Sequence, residues 1–345
     1  MRMRATIKDI ANDTGLSVTT VSLVLNGKAY KIPDDTKKRI MESARKLNYR
    51  PNQLAVSLVK KRSKTIGLII PDIGNVFYAH MVKGIEECCR EHGRTLILCN
   101  TNDLHERDME YIHLLADQGV DGIIYVMSRE SDETAGEESV RLLEQLQMPF
   151  VLLDRFLTDA DCAEIILDHE LGGYLAGRHL AELGHKRIAC VTGPVNLADS
   201  ERRLKGYVRA LEEFHIPFDE KLIYEGDYTM ECGERAVAAL MHYGFTAVFA
   251  CNDLSAFGVC RQLSKYHKKV PEDISVVGYD DVLYAEMMAV PLTTVRQPVY
   301  EMGVESVKRL ISQIKGKKTE NKIAVFEPKL MIRSSTVGMG QECRI

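Results

Sequence analysis

Apolar positions repeat with two different periods along the chain, and the change of period divides it. Over the first fifty residues the period is helical. In TIKDIANDTGLSVTTVSLVLN (Thr6–Asn26), Ile7, Ile10 and Ala11 fall on one helical face, and Gly15 ends that helix where a left-handed backbone suits glycine. Ser17 is placed to cap a second helix whose apolar face is Val21, Val24 and Leu25. Pro33 and Asp34 start a third, with Ile40, Ala44 and Leu47 spaced to close a three-helix core. Lys37, Lys38, Arg39, Arg45 and Lys46 are left for solvent or phosphate. Two short helices joined by a tight turn predict a helix-turn-helix. Val18, Thr19, Thr20 and Ser22 then face outward at the start of its second helix, where base edges are read.

Beyond residue 63 the pattern switches to short β-rich runs alternating with helical stretches. Thr65–Pro71, Arg94–Cys99, Gly122–Val126, Phe150–Leu153, Arg187–Thr192, Ala247–Cys251 and Ser275–Gly278 read as strands. Met81–His92, Glu106–Gln118, Gly173–Leu183 and Arg202–Phe214 read as helices between them. Such alternation means βαβ units and parallel sheets, and because it runs through twice it predicts two doubly wound lobes. Ligands bind these sheets at the carboxyl ends of the strands. The residues there are Asn75, Phe77 and Tyr78, then Asp154 and Arg155, then Arg203 at the start of a helix. Asp227 and Tyr228, Asn252 and Asp253, Asp280 and Asp281, and Gln297 follow later strands. Carboxylates and guanidinium groups pair with vicinal hydroxyls, and aromatic faces cover the C–H faces of a sugar ring, so the set suits a carbohydrate.

Composition sharpens this division. The net charge of −4 hides a head, residues 1–62, with 14 Lys/Arg against 5 Asp/Glu, while the remainder carries 31 basic and 44 acidic residues. A basic head on an acidic body points to a polyanion partner for the head alone. With 345 residues, 45% of them hydrophobic, the chain buries sizeable cores. Its longest apolar runs, Ile66–Pro71 and Ile123–Met127, are strand-length and far short of a bilayer crossing. No signal-peptide pattern follows the basic N-terminus, and the nine cysteines, with no C-x-x-C pair, read as reduced thiols, Cys99, Cys190 and Cys251 among them. A cytoplasmic protein is expected. No dinucleotide fingerprint, P-loop, metalloprotease helix or nucleophile elbow is present, and the histidines (His92, His113, His185) are scattered, so neither enzyme, metal nor cofactor is indicated.

TIKDIANDTGLSVTTVSLVLNG followed by KLNYRPNQLAVSLVKKRSKTIGLIIPD resembles the DNA-binding head and hinge of the lac/gal repressor family, and GYDDVLYAEMMAVPLTTVRQP (Gly278–Pro298) is equally family-like. The resemblance runs to the final strand. It implies a small all-α helix-turn-helix head joined to an α/β, two-lobed, periplasmic-binding-protein-like sensor. Residues 1–50 would be the DNA-binding domain, 51–62 the hinge helix and linker, and 63–345 the effector-binding and dimerisation domain. Its first lobe would span about 63–164 and 297–325, its second about 165–292 and 328–340. The implied DNA contacts are Thr6, Ser17, Val18, Thr19, Thr20, Ser22, Leu23 and Asn26 in the head and Asn52, Ala55 and Leu58 in the hinge. In this family the hinge helix folds in the minor groove and a leucine, here Leu58 beside small Ala55, wedges the central base step. Leu23 departs from the polar residue many members carry, so it offers a thymine methyl contact rather than a bidentate guanine contact.

The strand-end set resembles the ligand shell of periplasmic ribose-binding proteins and of the ribose-responsive branch of the same family. The matching residues are Asn75, Phe77, Tyr78, Asp154, Arg155, Arg203, Tyr228, Asn252, Asp280 and Gln297, with Tyr228 standing where a phenylalanine is expected. The implied protein is a homodimeric repressor on a pseudo-palindromic operator, released or strengthened by a small sugar, ribose or a similar monosaccharide, with no membrane partner. Another sugar, a sugar acid or a purine co-repressor, and a solute-binding protein without DNA function, are the alternatives.

Overall fold

A computed structural model describes residues 5–49, 63–128, 133–157, 161–317 and 322–339. The chain divides into two units, residues 1–63 and 64–345. The expected hinge, with Asn52, Ala55 and Leu58, lies outside the described residues.

The first unit is three helices, α1 (Ile7–Thr14), α2 (Val18–Leu25) and α3 (Asp34–Lys46). Thr6 caps α1 in a reciprocal box: Asp9 N–H donates to the Thr6 hydroxyl and Thr6 N–H to the Asp9 carboxylate at 2.7 Å. Gly15 then takes φ +67 and Ser17 starts α2 by accepting from Thr20 N–H at 3.1 Å, so the turn is fixed by its own residues. Ile10, Ala11, Val21, Ile40 and Ala44 form the core, with Val24, Leu25 and Leu47 packed on it. Part of the basic face expected to be free is engaged: Arg39 donates to the Thr14 carbonyl at 2.8 Å and Lys46 pairs with Asp13 at 3.0 Å, tying α3 to the end of α1.

The second unit holds two six-stranded sheets. The first comprises β1 (Thr65–Ile70), β2 (Thr95–Asn100), β3 (Gly122–Tyr125), β4 (Phe150–Leu153), β5 (Ala163–Leu167) and β11 (Ile323–Phe326), ordered β11-β5-β4-β3-β1-β2 and wholly parallel. The second comprises β6 (Ile188–Val191), β7 (Ile223–Tyr224), β8 (Ala247–Ala250), β9 (Ser275–Asp280), β10 (Thr293–Arg296) and β12 (Lys329–Met331), ordered β12-β10-β9-β8-β6-β7, with only β12 antiparallel. Strands such as β4 (FVLL) and β8 (AVFA) are apolar throughout because helices cover both faces of a parallel sheet.

The lobe borders differ from the expected ones. β5 pairs with β4 through residues 163–165 and with β11 through residues 164–167, so the first lobe runs to residue 167 rather than 164. β10 lies wholly in the second sheet, which carries that lobe to residue 296. The chain therefore crosses between lobes at 168, at 297–298 and at 327–328.

Two helix pairs position the cleft. In the first lobe α4 (Val76–Glu91) packs against α12 (Val299–Ile314). In the second, α7 (His169–Glu182) lies against α8 (Ala198–Glu213) at backbone contact distance. A Cβ at Gly173 would sit 1.9 Å from the Arg203 carbonyl oxygen, and one at Gly206 the same distance from the Glu170 carbonyl oxygen. Glycine at these crossings seats α8, and α8 carries Arg203.

Candidate functional site

The strand-end residues meet between the lobes. Asn75, Phe77, Tyr78, Asp154, Arg155, Arg203, Tyr228, Asn252, Asp280 and Gln297 all line one cavity of about 310 Å³, at the small end of ligand pockets. A larger recess of about 860 Å³ abuts it and shares Phe77, Asp280 and Gln297. On its wall Arg333 lies 2.6 Å from Asp281, and Arg296 pairs with the same carboxylate. The smaller one holds all ten expected residues.

Arg203 is the most constrained group in it. The residue sits in the second turn of α8 rather than at its start, because the helix begins at Ala198 behind Leu197. Its Nη1 donates to the Cys251 carbonyl at 2.6 Å, Nε donates to His169 Nδ1 at 3.3 Å, and Nη2 lies 3.4 Å from Asp199. The guanidinium plane rests 4.1 Å over the Tyr279 ring. Because His169 accepts at Nδ1 its proton sits on Nε2, and burial together with Arg203 pushes the imidazole down to about 3. His169 is thus a neutral prop, and its buried Nε2 has no hydrogen-bond partner among the described residues.

On the opposite wall Arg155 donates to the Met127 carbonyl, to Tyr78 Oη at 3.3 Å and to Asp103 at 3.4 Å. Asp154 beside it is buried, and burial raises its carboxyl to about 6 against the pull of Arg155. Burial likewise raises Asp280 to about 7, opposed by Arg203 and by Gln297, whose Nε2 donates to Asp280 Oδ1 at 2.7 Å. Asp199 goes the other way: burial would raise it, but Arg203, Arg155 and the Tyr228 hydroxyl at 2.9 Å hold it below the usual carboxylate range. Both asparagines serve the scaffold first. Asn75 Oδ1 caps α4 by accepting from Phe77 N–H, and Asn252 caps α10 (Asp253–Lys265) while its Nδ2 donates to the Tyr228 carbonyl at 2.9 Å.

Asp199, Asp103, Asp72 and Glu231 also face the cavity and were not among the expected residues. Asp103 follows β2 just as Asp154 follows β4, so the strand-end rule reaches it. Asp199 has no such signal, since it acts from a helix, one turn ahead of Arg203.

In the head, Val18 (46% exposed) and Leu23 (39% exposed) project from α2, and Thr19 is exposed with them. The other expected contacts carry local duties: Thr6 and Ser17 are caps, the Thr20 hydroxyl lies 2.8 Å from that of Ser17, and Asn26 Nδ2 donates to the Ser22 carbonyl at 2.8 Å.

A helix-turn-helix in sequence with two doubly wound lobes and a polar cleft is the architecture of a DNA-binding protein that carries a small-molecule-binding domain. Residues 6–52 match the family described as bacterial regulatory proteins, lacI family, and residues 63–329 match the periplasmic binding proteins and sugar binding domain of LacI family. The chain belongs to the LacI family and is a DNA-binding transcriptional repressor with a ligand-binding domain. It is 38% identical to the HTH-type transcriptional repressor PurR of Vibrio atlanticus (strain LGP32), over 96% of this chain and 98% of that protein. The lac repressor dimer bound to operator and the anti-inducer ONPF superposes with TM-score 0.87 at 27% identity, over 97% of this chain and 100% of that one. A LacI family regulator from Enterococcus faecium with bound ribose is 34% identical, with TM-score 0.71, over 80% of this chain and 99% of that chain. These relatives are regulators rather than enzymes, and the ribose-operon branch is not singled out among them. Among the described residues no helix is long and apolar enough to cross a membrane.

Proposed function

We propose that the chain represses transcription as a homodimer on a pseudo-palindromic operator, and that a monosaccharide bound between the lobes, ribose or a close relative, sets its operator affinity. The observation that carries the effector reading is the cavity itself: buried Asp154 and Asp199 and half-buried Asp280 set against two arginines and the Phe77, Tyr78 and Tyr228 rings. Acceptor-only carboxylates and fixed donors at this density match a ring of hydroxyls, and the aromatic faces match its C–H groups. The dimer follows the operator-bound relative, and a two-fold protein mirrors a palindromic site. Val18, Thr19 and Leu23 would meet base edges, with Leu58 of each hinge at the operator centre.

Closure of the lobes on the sugar shifts one against the other about the three crossings, which changes operator affinity. By linkage DNA must alter sugar affinity by the same factor, typically about 5–150-fold. The test is calorimetric titration of the full chain with D-ribose, in wild type and Arg203→Ala. Removing a guanidinium held by three protein groups should abolish measurable sugar binding while operator affinity without sugar stays within about threefold. An Arg203→Ala protein that still answers to ribose defeats the assignment. A purine co-repressor is the second reading, favoured by relatives named PurR. Heat from hypoxanthine with none from ribose would establish it.

A further inference from the structure

Both arginines of the cavity spend their donors on the protein. Arg203 serves Cys251, His169 and Asp199, and Arg155 serves Met127, Tyr78 and Asp103. The carboxylates are less occupied. Asp199 is 8% exposed, and both its bonds, from Tyr228 Oη at 2.9 Å and to Arg203 Nη2 at 3.4 Å, fall on Oδ2. Oδ1 has no hydrogen bond among the described residues although the side chain lines the cavity. Asp154, across the cavity, has no side-chain hydrogen bond among them either.

Tyr228 holds Asp199 in this attitude. Its backbone is left-handed at φ +64, its carbonyl is held by Asn252, and its ring occupies the space over Gly193, where a Cβ would stand 2.1 Å from the ring. The phenol is fixed from below and aims its one proton at Asp199 Oδ2, leaving Oδ1 turned to the ligand space.

We infer that Asp199 is a specificity-determining residue of the effector site: its free Oδ1 accepts a hydrogen bond from the ligand, and as a third carboxylate on the cavity wall it rejects ligands that carry a carboxylate or phosphate. This rests on the reading of the cavity as a sugar site and narrows it to uncharged or amino sugars. An ionised carboxylate accepts only, so it demands a hydroxyl or ammonium donor. An anion placed in the cavity meets the like charge of Asp199, and the arginines that would offset it are already bonded.

The experiment is calorimetric titration of the full chain with D-ribose, D-glucosamine, D-ribose 5-phosphate and D-gluconate, in wild type, Asp199→Asn and Tyr228→Phe. Wild type should bind one of the first two at least about tenfold more tightly than either anion. Asp199→Asn should weaken that ligand by about tenfold and shrink the gap to within about threefold, while Tyr228→Phe, which keeps the carboxylate, should keep the gap. A folded Asp199→Asn protein with the full gap overturns the inference and leaves the sugar reading standing. Wild type that prefers an anion also overturns it, whether or not the variant folds. Silence toward all four in wild type overturns the sugar reading and the inference together.

Discussion

Gly173→Ala is a single methyl far from solvent chemistry, and its effect on the cavity is calculable from one distance. At an exposed helix position the change would stabilise by about 1 kcal/mol, because alanine has the higher helix propensity. Here the new Cβ stands 1.9 Å from the Arg203 carbonyl oxygen and 2.9 Å from its Cα, when ordinary contact begins at 3.4 Å. The obstacle is backbone, so no side chain can swing away. α8 must retreat by an ångström or more, and Gly206, packed equally close on Glu170, blocks a simple roll about the crossing. Overpacking of this kind costs typically about 1–3 kcal/mol, and a displaced whole helix belongs at the upper end, leaving about 2 kcal/mol of net destabilisation. The same shift stretches the 2.6 Å bond from Arg203 to Cys251 beyond hydrogen-bond range and moves Asp199 with it. Sugar affinity should therefore fall by at least about tenfold in a protein that still folds. Urea unfolding read at constant m, paired with sugar titration, measures both. A variant about 1 kcal/mol more stable than wild type with unchanged affinity would refute the close crossing and the seating of Arg203 by it.

Two other perturbations address the opposite wall and the cleft rim. Burial raises the Asp154 carboxyl to about 6, above its value near 3.9 in an unfolded chain, so between these pH values the folded state holds the proton that the unfolded state has lost. The Asp154 contribution to stability thus falls as pH rises through that window and is flat above it. Asp154→Asn should reduce the loss between pH 5 and pH 8 by about 1 kcal/mol in urea unfolding, and an unaltered profile would count against the burial. At the rim, Arg202 on α8 stacks 4.1 Å over the ring of Phe156, which follows β4, so the pair joins the two lobes. Arg202→Ala should remove about 0.5–2 kcal/mol from the closed arrangement and weaken sugar binding by roughly 2- to 30-fold without touching the ligand. Equal affinity in the variant would show that the stack does not contribute to closure.

What the sequence disclosed depended on whether a residue acts through a periodic pattern. The head was legible because Ile10, Val21 and Ile40 recur at helical spacing and Gly15 and Ser17 punctuate the turn. The cavity was legible because parallel sheets deliver ligands to strand ends, and Asp154, Tyr228, Asn252 and Asp280 all follow strands. Helix starts were less so. Leu197 precedes α8 with no capping side chain, so nothing polar marked a beginning at Ala198, and Arg203 was placed a turn too early. The edge strands β7, β11 and β12 are two to four residues long and take their pairing from neighbours rather than from their own pattern. Asp199 and His169 were out of reach because each acts from a helix, through contacts with Arg203 and Tyr228 that only the fold creates.

The strained residues show how this cleft is held ready. Asp154 (φ +71), Tyr228 (φ +64), Asp280 (φ +114) and Asp281 (φ +57) all leave the conformations open to ordinary side chains, and all four sit just beyond or at the end of a strand. A left-handed turn at the end of a strand redirects the next side chains into the cleft instead of along the sheet. Each turn is offset by a bond that fixes it: Asp154 N–H donates to the Ile165 carbonyl, Asn252 holds the Tyr228 carbonyl, and Asp281 N–H donates to Thr294 Oγ1. The protein's own hydrogen bonds hold these turns, an arrangement that suits preorganised walls. Two of the three lobe crossings are built into those walls. His169, one residue past the crossing at 168, accepts from Arg203, and Gln297, at the crossing before α12, donates to Asp280. A hydroxyl that competes with Gln297 for Asp280 thus acts on a crossing peptide directly, with no intervening residue, and binding and lobe movement share one hydrogen bond.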